Sequence, residues 1–202
     1  MPVNTQSLRF QEILQKKGIP YILTWSGAKE VIQIRDKPEE KYTFMHSRTI
    51  PRNEMYFLKQ VRKHIETNVK PPPVPKNIKY QNINLQRIQQ TKFVTEVDIK
   101  DAYWVTALEK GYINLDIYVK GKELHKKTRL AALGQLAKMT STVEFNGKQF
   151  GEVHSVRDPY AGVFFQCSKH ISNLMLQAEP IIETAFWWVD AVFVKTDKGD
   201  VS

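Results

Sequence analysis

Between Lys70 and Lys76 the chain reads KPPPVPK, and the prolines at 71, 72, 73 and 75 restrict every fold it can adopt. Proline has no amide hydrogen and drives the residue before it into extended geometry, so neither a helix nor a central strand can run through this stretch. It reads as a semi-rigid connector of polyproline type. Either it separates an N-terminal α/β region (1–69) from a C-terminal region (78–202) across a connector at 70–77, or it is a loop crossing the surface of one domain.

Apolar periodicity on each side gives the elements. Leu8, Ile13 and Leu14 fall near one helical face of residues 7–17, and Gly18 stands where that helix would stop. From 20 to 46, the runs PYILTW, EVIQI and KYTFM, parted by Ser26-Gly27 and by 36–40, predict a small antiparallel meander. Pro51 suits the first turn of a helix striped by Met55, Leu58, Val61 and Ile65, with Arg52, Lys59, Arg62 and Lys63 on its other faces. Beyond the prolines, KFVTEVDI predicts a strand that becomes buried at its end, followed by a helix from about Ala102. A second helix is expected over 121–139, carrying Leu124, Leu130, Leu133 and Leu136. Asn146-Gly147 signals a tight hairpin, and Asp158-Pro159 opens a helix to about 177 with Val163, Cys167, Ile171, Leu174 and Met175 on one side. AFWWVDAVFV, rich in aromatic and β-branched residues, reads as strand. Trp187 and Trp188 then face opposite ways, with core packing expected for both and base stacking open to one.

Thirty Lys and Arg against 21 Asp and Glu give a net charge of +9, which favours polyanionic partners. The single cysteine, Cys167, sits in an apolar stretch and reads as a buried free thiol in a reducing compartment. The N-terminus has no basic-then-apolar leader, and no run approaches the ~18 apolar residues of a membrane span. The expectation is a soluble cytoplasmic protein without a membrane partner.

Two acids stand out against their apolar surroundings: Asp98 in FVTEVDIKDAY and Asp190 in FWWVDAVFV. A carboxylate on an apolar strand must be paired, protonated or bound to a cation, and two such strands side by side would make a site for Mg²⁺ or Mn²⁺. The alternative for each is an ordinary strand end or turn. The histidines at 46, 64, 125, 154 and 170 show no metal-ligand spacing, and neither a GxxxxGK[ST] loop nor GxGxxG is present.

DIKDAY resembles the first palm motif of family B DNA polymerases, D-x-x-S-L-Y, with Asp98, Ala102 and Tyr103 in matching places. DAVFV, residues 190–194, is similar to that family's last motif, D-S-x-x-V, with Ala191 in place of Ser. Between them KTRLAALGQ, 127–135, is similar to the middle motif K-x-x-x-N-S-x-Y-G, although its Asn and Tyr-Gly are absent. Trp188 stands where the family usually carries a further Asp. The likeness covers roughly residues 93–196.

That resemblance implies an α/β (α+β) polymerase-type palm, its mainly antiparallel sheet covered by two or three helices, with small helical fingers and no thumb. It implies metal-dependent nucleotidyl transfer (polymerase, primase-like or terminal-transferase) in DNA replication, with Asp98, Asp190 and the Ile99 carbonyl as ligands of Mg or Mn. Tyr103 would lie under the sugar of a nucleoside triphosphate, and Lys127 or Arg129 would grip its phosphates. With eight residues after Val194, the nucleic acid would be held by Arg52, Lys59, Arg62, Lys120, Lys122 and Lys126, and a protein partner would replace the thumb. A phage or mobile-element origin suits so reduced a version. The rival readings are a catalytically inactive palm serving as a nucleic-acid-binding or replisome scaffold, and an unrelated basic structural protein.

Overall fold

The computed structural model describes residues 4–45, 54–83, 85–90, 93–180 and 184–195. They form an α+β protein with two antiparallel sheets, divided into two compact units. Unit 1 comprises residues 1–51 and 137–158, and unit 2 comprises 52–136 and 159–202.

Unit 1 opens with α1, Thr5–Lys16, where the Asn4 side chain accepts from the amides of Gln6 and Ser7 and so satisfies two of the free donors at the helix start. The meander follows as β1 (Tyr21–Ser26), β2 (Lys29–Ile34) and β3 (Lys41–Met45). The chain returns as β6 (Met139–Phe145) and β7 (His154–Arg157), giving the order β3-β2-β1-β6-β7. Leu14, Tyr21, Ile32, Ile34 and Phe145 make its core, and Gln15 donates to the Tyr21 hydroxyl at 2.9 Å. Asn146-Gly147 does open the turn after β6: the Asn146 side chain accepts from the amides of Lys148 and Gln149, and Gly147 supplies φ +97°.

In unit 2, α2 (Met55–Asn68) buries Phe57, Leu58, Val61 and Ile65 and packs on α6 (Lys126–Gly134). Pro51 and Arg52 lie outside the described residues. The proline segment, where a boundary or a surface loop was expected, runs within unit 2 and docks on α7 (Ala161–Ala178). A Cβ on Gly162 would collide with the Pro72 carbonyl oxygen, while Gln166 and Lys169 donate to the carbonyls of Pro73 and Asn77. A segment so stiff, presenting carbonyls without competing amides, fits a helix face that offers side-chain donors.

Three further expectations are corrected. The stretch AFWWVDAVFV is two strands, β8 (Thr184–Trp188) and β9 (Ala191–Lys195), folded back at Val189-Asp190. The helix expected over 121–139 is three pieces: α5 (Leu115–Lys122), α6 (Lys126–Gly134), started by His125 accepting from the Lys127 amide, and a 3₁₀ turn at Gln135–Ala137. Leu133 and Leu136 are buried, but Leu130 is exposed. Strand β5 (Val94–Asp98) is exposed throughout, because it closes one edge of the sheet β4-β8-β9-β5, with β4 at Gln81–Ile83. A short α3 (Leu85–Gln90) lies against β8, and α4 (Ala102–Glu109) packs on α7.

One face of this sheet is covered. Trp187 is fully buried there, and Glu179, at the end of α7, accepts from Trp187 Nε1 (3.3 Å) and from Asn82 Nδ2 (2.6 Å), tying β8 and β4 to the helix. Its neighbour Trp188 is 58% exposed, which corrects the expectation that both tryptophans are core.

Candidate active site

The strand pair β5–β9 brings the two acids together. Asp98 ends β5 opposite Ala191, and the amide of the next residue, Ile99, donates to the Asp190 carbonyl at 2.9 Å. Asp190 occupies the second position of the β8–β9 turn. Burial, and then the negative charge of Asp98, push its carboxyl above the ordinary carboxylate range, with the Lys126 charge acting against both. Asp98 is itself exposed, not buried as expected, and Lys126 Nζ lies 3.9 Å from its Oδ2.

The loop after Asp98 is held by a buried ion cluster. Asp101 starts α4 in the left-handed region (φ +56°), which a short polar side chain tolerates better than most. Its carboxylate, only 6% exposed, accepts from Arg129 Nη2 at 2.6 Å and from Lys122 Nζ. Burial alone would raise the Asp101 carboxyl, but the two cations outweigh it and hold it below the usual range. Arg129 also donates through Nη1 to the carbonyls of Leu124 (2.7 Å) and Gly121 (3.1 Å), closing the break between α5 and α6. Its Nε is buried without a partner. The sequence marked Lys122 and Arg129 as cations but not Asp101, the carboxylate that gathers them, which lies 21 and 28 residues away.

The expected site residues therefore separate. Asp98, Asp190, Tyr103 and Arg129 all lie in unit 2, where a cleft of about 10 Å³ is lined by Asp101, Tyr103, Lys126, Arg129 and Asp190 but not by Asp98. The cation of α6 beside the two acids is Lys126, from the first turn, while Lys127 is exposed and lines no part of that cleft. Arg129 is engaged by Asp101, and so is Lys122. Tyr103 is nearly buried, stacks on Phe164 at 5.1 Å and accepts from Ser168 Oγ at 3.3 Å. Burial raises its phenol, and the Asp190 charge adds to the shift. The Ile99 carbonyl accepts from the Ala102 amide at 3.2 Å.

Of the expected nucleic-acid contacts, Arg52 lies outside the described residues. Lys59 is exposed on α2, and Arg62 pairs with Glu66 at 2.7 Å. Lys120 borders a groove of about 490 Å³ between α2 and α5 with Tyr56, Lys63 and His64.

Among the described residues, no group of three or more His, Cys, Asp and Glu side chains forms a metal cage, and no helix is long and apolar enough to cross a membrane. No family model, no curated protein and no solved structure matches this chain.

Proposed function

We propose that unit 2 is a palm-like nucleotidyltransferase region in which Asp98 and Asp190 hold Mg²⁺ or Mn²⁺ for transfer of a nucleotide to a nucleic-acid 3′ end. The observation that carries this reading is the juxtaposition of the two acids, with the Asp190 carboxyl raised by burial and by Asp98. Two like charges held together favour a cation between them. Both donors are hard carboxylate oxygens, and Mg²⁺ commonly takes only one or two protein carboxylates, completing its shell with water and substrate phosphates, so an all-protein cage is not required.

When bound, the ion would neutralise phosphoryl charge and favour ionisation of the attacking hydroxyl. The chain's own residues do the rest. Lys126, at the mouth of the cleft, places a cation where a phosphate would approach the two acids. Arg129 and Lys122 hold Asp101, and with it the turn from β5 into α4, so that Asp98 is presented from a fixed backbone. The Tyr103 ring, braced by Phe164 and Ser168, lines the cleft.

Incorporation of labelled nucleotides on primed and unprimed DNA and RNA, with either metal, tests this reading. Asp98→Asn and Asp190→Asn should each lower incorporation by more than about 100-fold, exceeding what outer-shell partners of a metal usually cost, while the fold is retained. Full activity in either variant would sink it. The exposed Trp188, where the family's additional acid would stand, favours a second reading, an inactive palm that binds nucleic acid as a scaffold. No product under any metal or primer, with binding retained, would select that reading.

A further inference from the structure

The face of the sheet in unit 2 that bears Trp188 carries two rows of residues in register, with Ala191 buried between Trp188 and Asp98. One runs Gln81, Trp188, Ala191, Asp98, and the other Ile83, Phe186, Phe193, Glu96. Directly opposed residues of an antiparallel pair share a face, so all eight project from the same side. Phe186 and Phe193 are stacked with centroids 4.1 Å apart. Trp188 and Ile83 are exposed at 58% and 49%. Trp188 is thus left open to solvent near the stacked phenylalanines, while its neighbour Trp187 is fully buried.

We infer that this face is a stacking platform for single-stranded nucleic acid, with Trp188 as its principal base-binding residue. The choice of occupant follows from what shares the face. Glu96 and Asp98 flank the rings, and a protein partner covering the platform would have to bury both carboxylates. A nucleobase covers one ring at a time and leaves the acids hydrated. Trp188 and Asp98 stand in one row two strands apart, about 10 Å at the usual strand spacing. That span is comparable to the reach from a base to the phosphates of its own nucleotide, so a strand stacked on Trp188 lies alongside the candidate active site. Lys126, beside Asp98, supplies a cation at that end, in a chain whose net charge is +9.

The inference draws on the proposed function only for the nearness of the platform to a site that handles phosphates, and its test needs no catalysis. A short oligodeoxythymidylate is titrated in EDTA, without nucleotides, into the full chain while tryptophan fluorescence is followed, with a blunt duplex as comparison. Single strands should quench the emission and bind more tightly than the duplex. Trp188→Ala should lose most of the quench and bind roughly ten-fold more weakly, whereas Trp188→Phe should keep most of the affinity. Both variants should melt like the wild type, because the side chain is exposed. Unchanged affinity in Trp188→Ala would overturn the inference. So would concentration-dependent self-association that the substitution abolishes, since the face would then cover a second copy. A wild-type chain that quenches and binds but incorporates nothing removes the proposed function and leaves the platform standing. A chain that incorporates nucleotides while Trp188→Ala binds normally removes the platform alone.

Discussion

The two units each contain a two-residue hairpin, and the same backbone requirement is met by opposite choices of residue. In unit 1, Ser26 pairs with Lys29 across Gly27-Ala28, and Gly27 has φ +57°. In unit 2, Trp188 pairs with Ala191 across Val189-Asp190, and Val189 has φ +53°. Glycine adopts that conformation freely, whereas a β-branched residue there is a genuine outlier costing about 1–3 kcal/mol. The strained turn is the one that carries a candidate catalytic acid. A second left-handed residue, Asp101, follows the other acid by three positions. The turn of unit 1 thus meets the requirement without strain, and the turn of unit 2 meets it with a strained residue next to Asp190.

If that contrast is right, the largest stability effect should come from the cluster behind the site. Asp101→Leu would leave the buried Arg129 without its carboxylate and should cost about 3–5 kcal/mol in denaturant unfolding. Asp101→Asn tolerates the left-handed backbone and should cost less. The depressed Asp101 carboxyl has a pH signature. Its stabilisation is fully present above the unfolded-state carboxylate pKa of about 3.9 and is lost as pH falls through the lower folded value. An acid-unfolding curve unchanged in Asp101→Asn would contradict this.

Next come the turns themselves. Gly27→Val should destabilise by about 1–3 kcal/mol, because it imports the strain of the other hairpin and sets its Cβ 3.2 Å from Lys138 Cε. Val189→Gly should gain up to about 1 kcal/mol and lower incorporation by loosening the aim of Asp190. Equal and opposite loss of stability at Val189 would break the comparison.

Asp190 works in the opposite sense to Asp101. Its raised folded pKa means that the native state binds more protons than the unfolded chain between the two values, so stability falls as pH rises through that window. Asp190→Asn should therefore raise Tm at neutral pH, added Mg²⁺ should raise the Tm of the wild type alone, and incorporation should climb with pH as Asp190 ionises. A lower Tm for this variant at neutral pH would count against the site.

The smallest effects should be at the surface and the inert thiol. Glu144→Gln, which removes the exposed Arg35 pair of unit 1, should change stability by less than about 1 kcal/mol. Cys167, whose thiol burial pushes up to about 12, should resist alkylation at neutral pH until the chain unfolds.

The local elements were legible wherever period and punctuation agreed. The meander, α2, the start of α4 and the helix after Asp158-Pro159 all appear near their expected positions, although Met55, Leu174, Leu8 and Ile13 of the expected apolar faces are exposed. The β8–β9 turn was hidden by the feature that makes it unusual: Val189 continues a β-branched run where a hairpin ordinarily announces itself with Asn or Gly. Asp98 and Asp190 could be singled out because charge interrupts an apolar pattern. Their partners could not, because Lys126 and Lys127 are alike in sequence and only the start of α6 decides which one turns toward Asp98. Arg129 was readable as a cation but not as a buried one, since its partner lies 28 residues away.

The central strand of the sheet in unit 1, β1, pairs with β6, and the opposed residues Tyr21 and Phe145 stand 124 positions apart. During synthesis β1, β2 and β3 leave the ribosome long before their partner exists, with one side of β1 unpaired while residues 52–136 follow. At about 5–20 residues per second, that edge stays open for some seconds. A nascent chain paused between 136 and 145 would hold the meander without β6, the partner of its central strand β1, in a state open to pairing with other chains or to chaperones. The division of unit 1 around an intervening stretch of unit 2 therefore sets an order of assembly: residues 52–136 of the region proposed for chemistry are made before β6 can complete the sheet of unit 1.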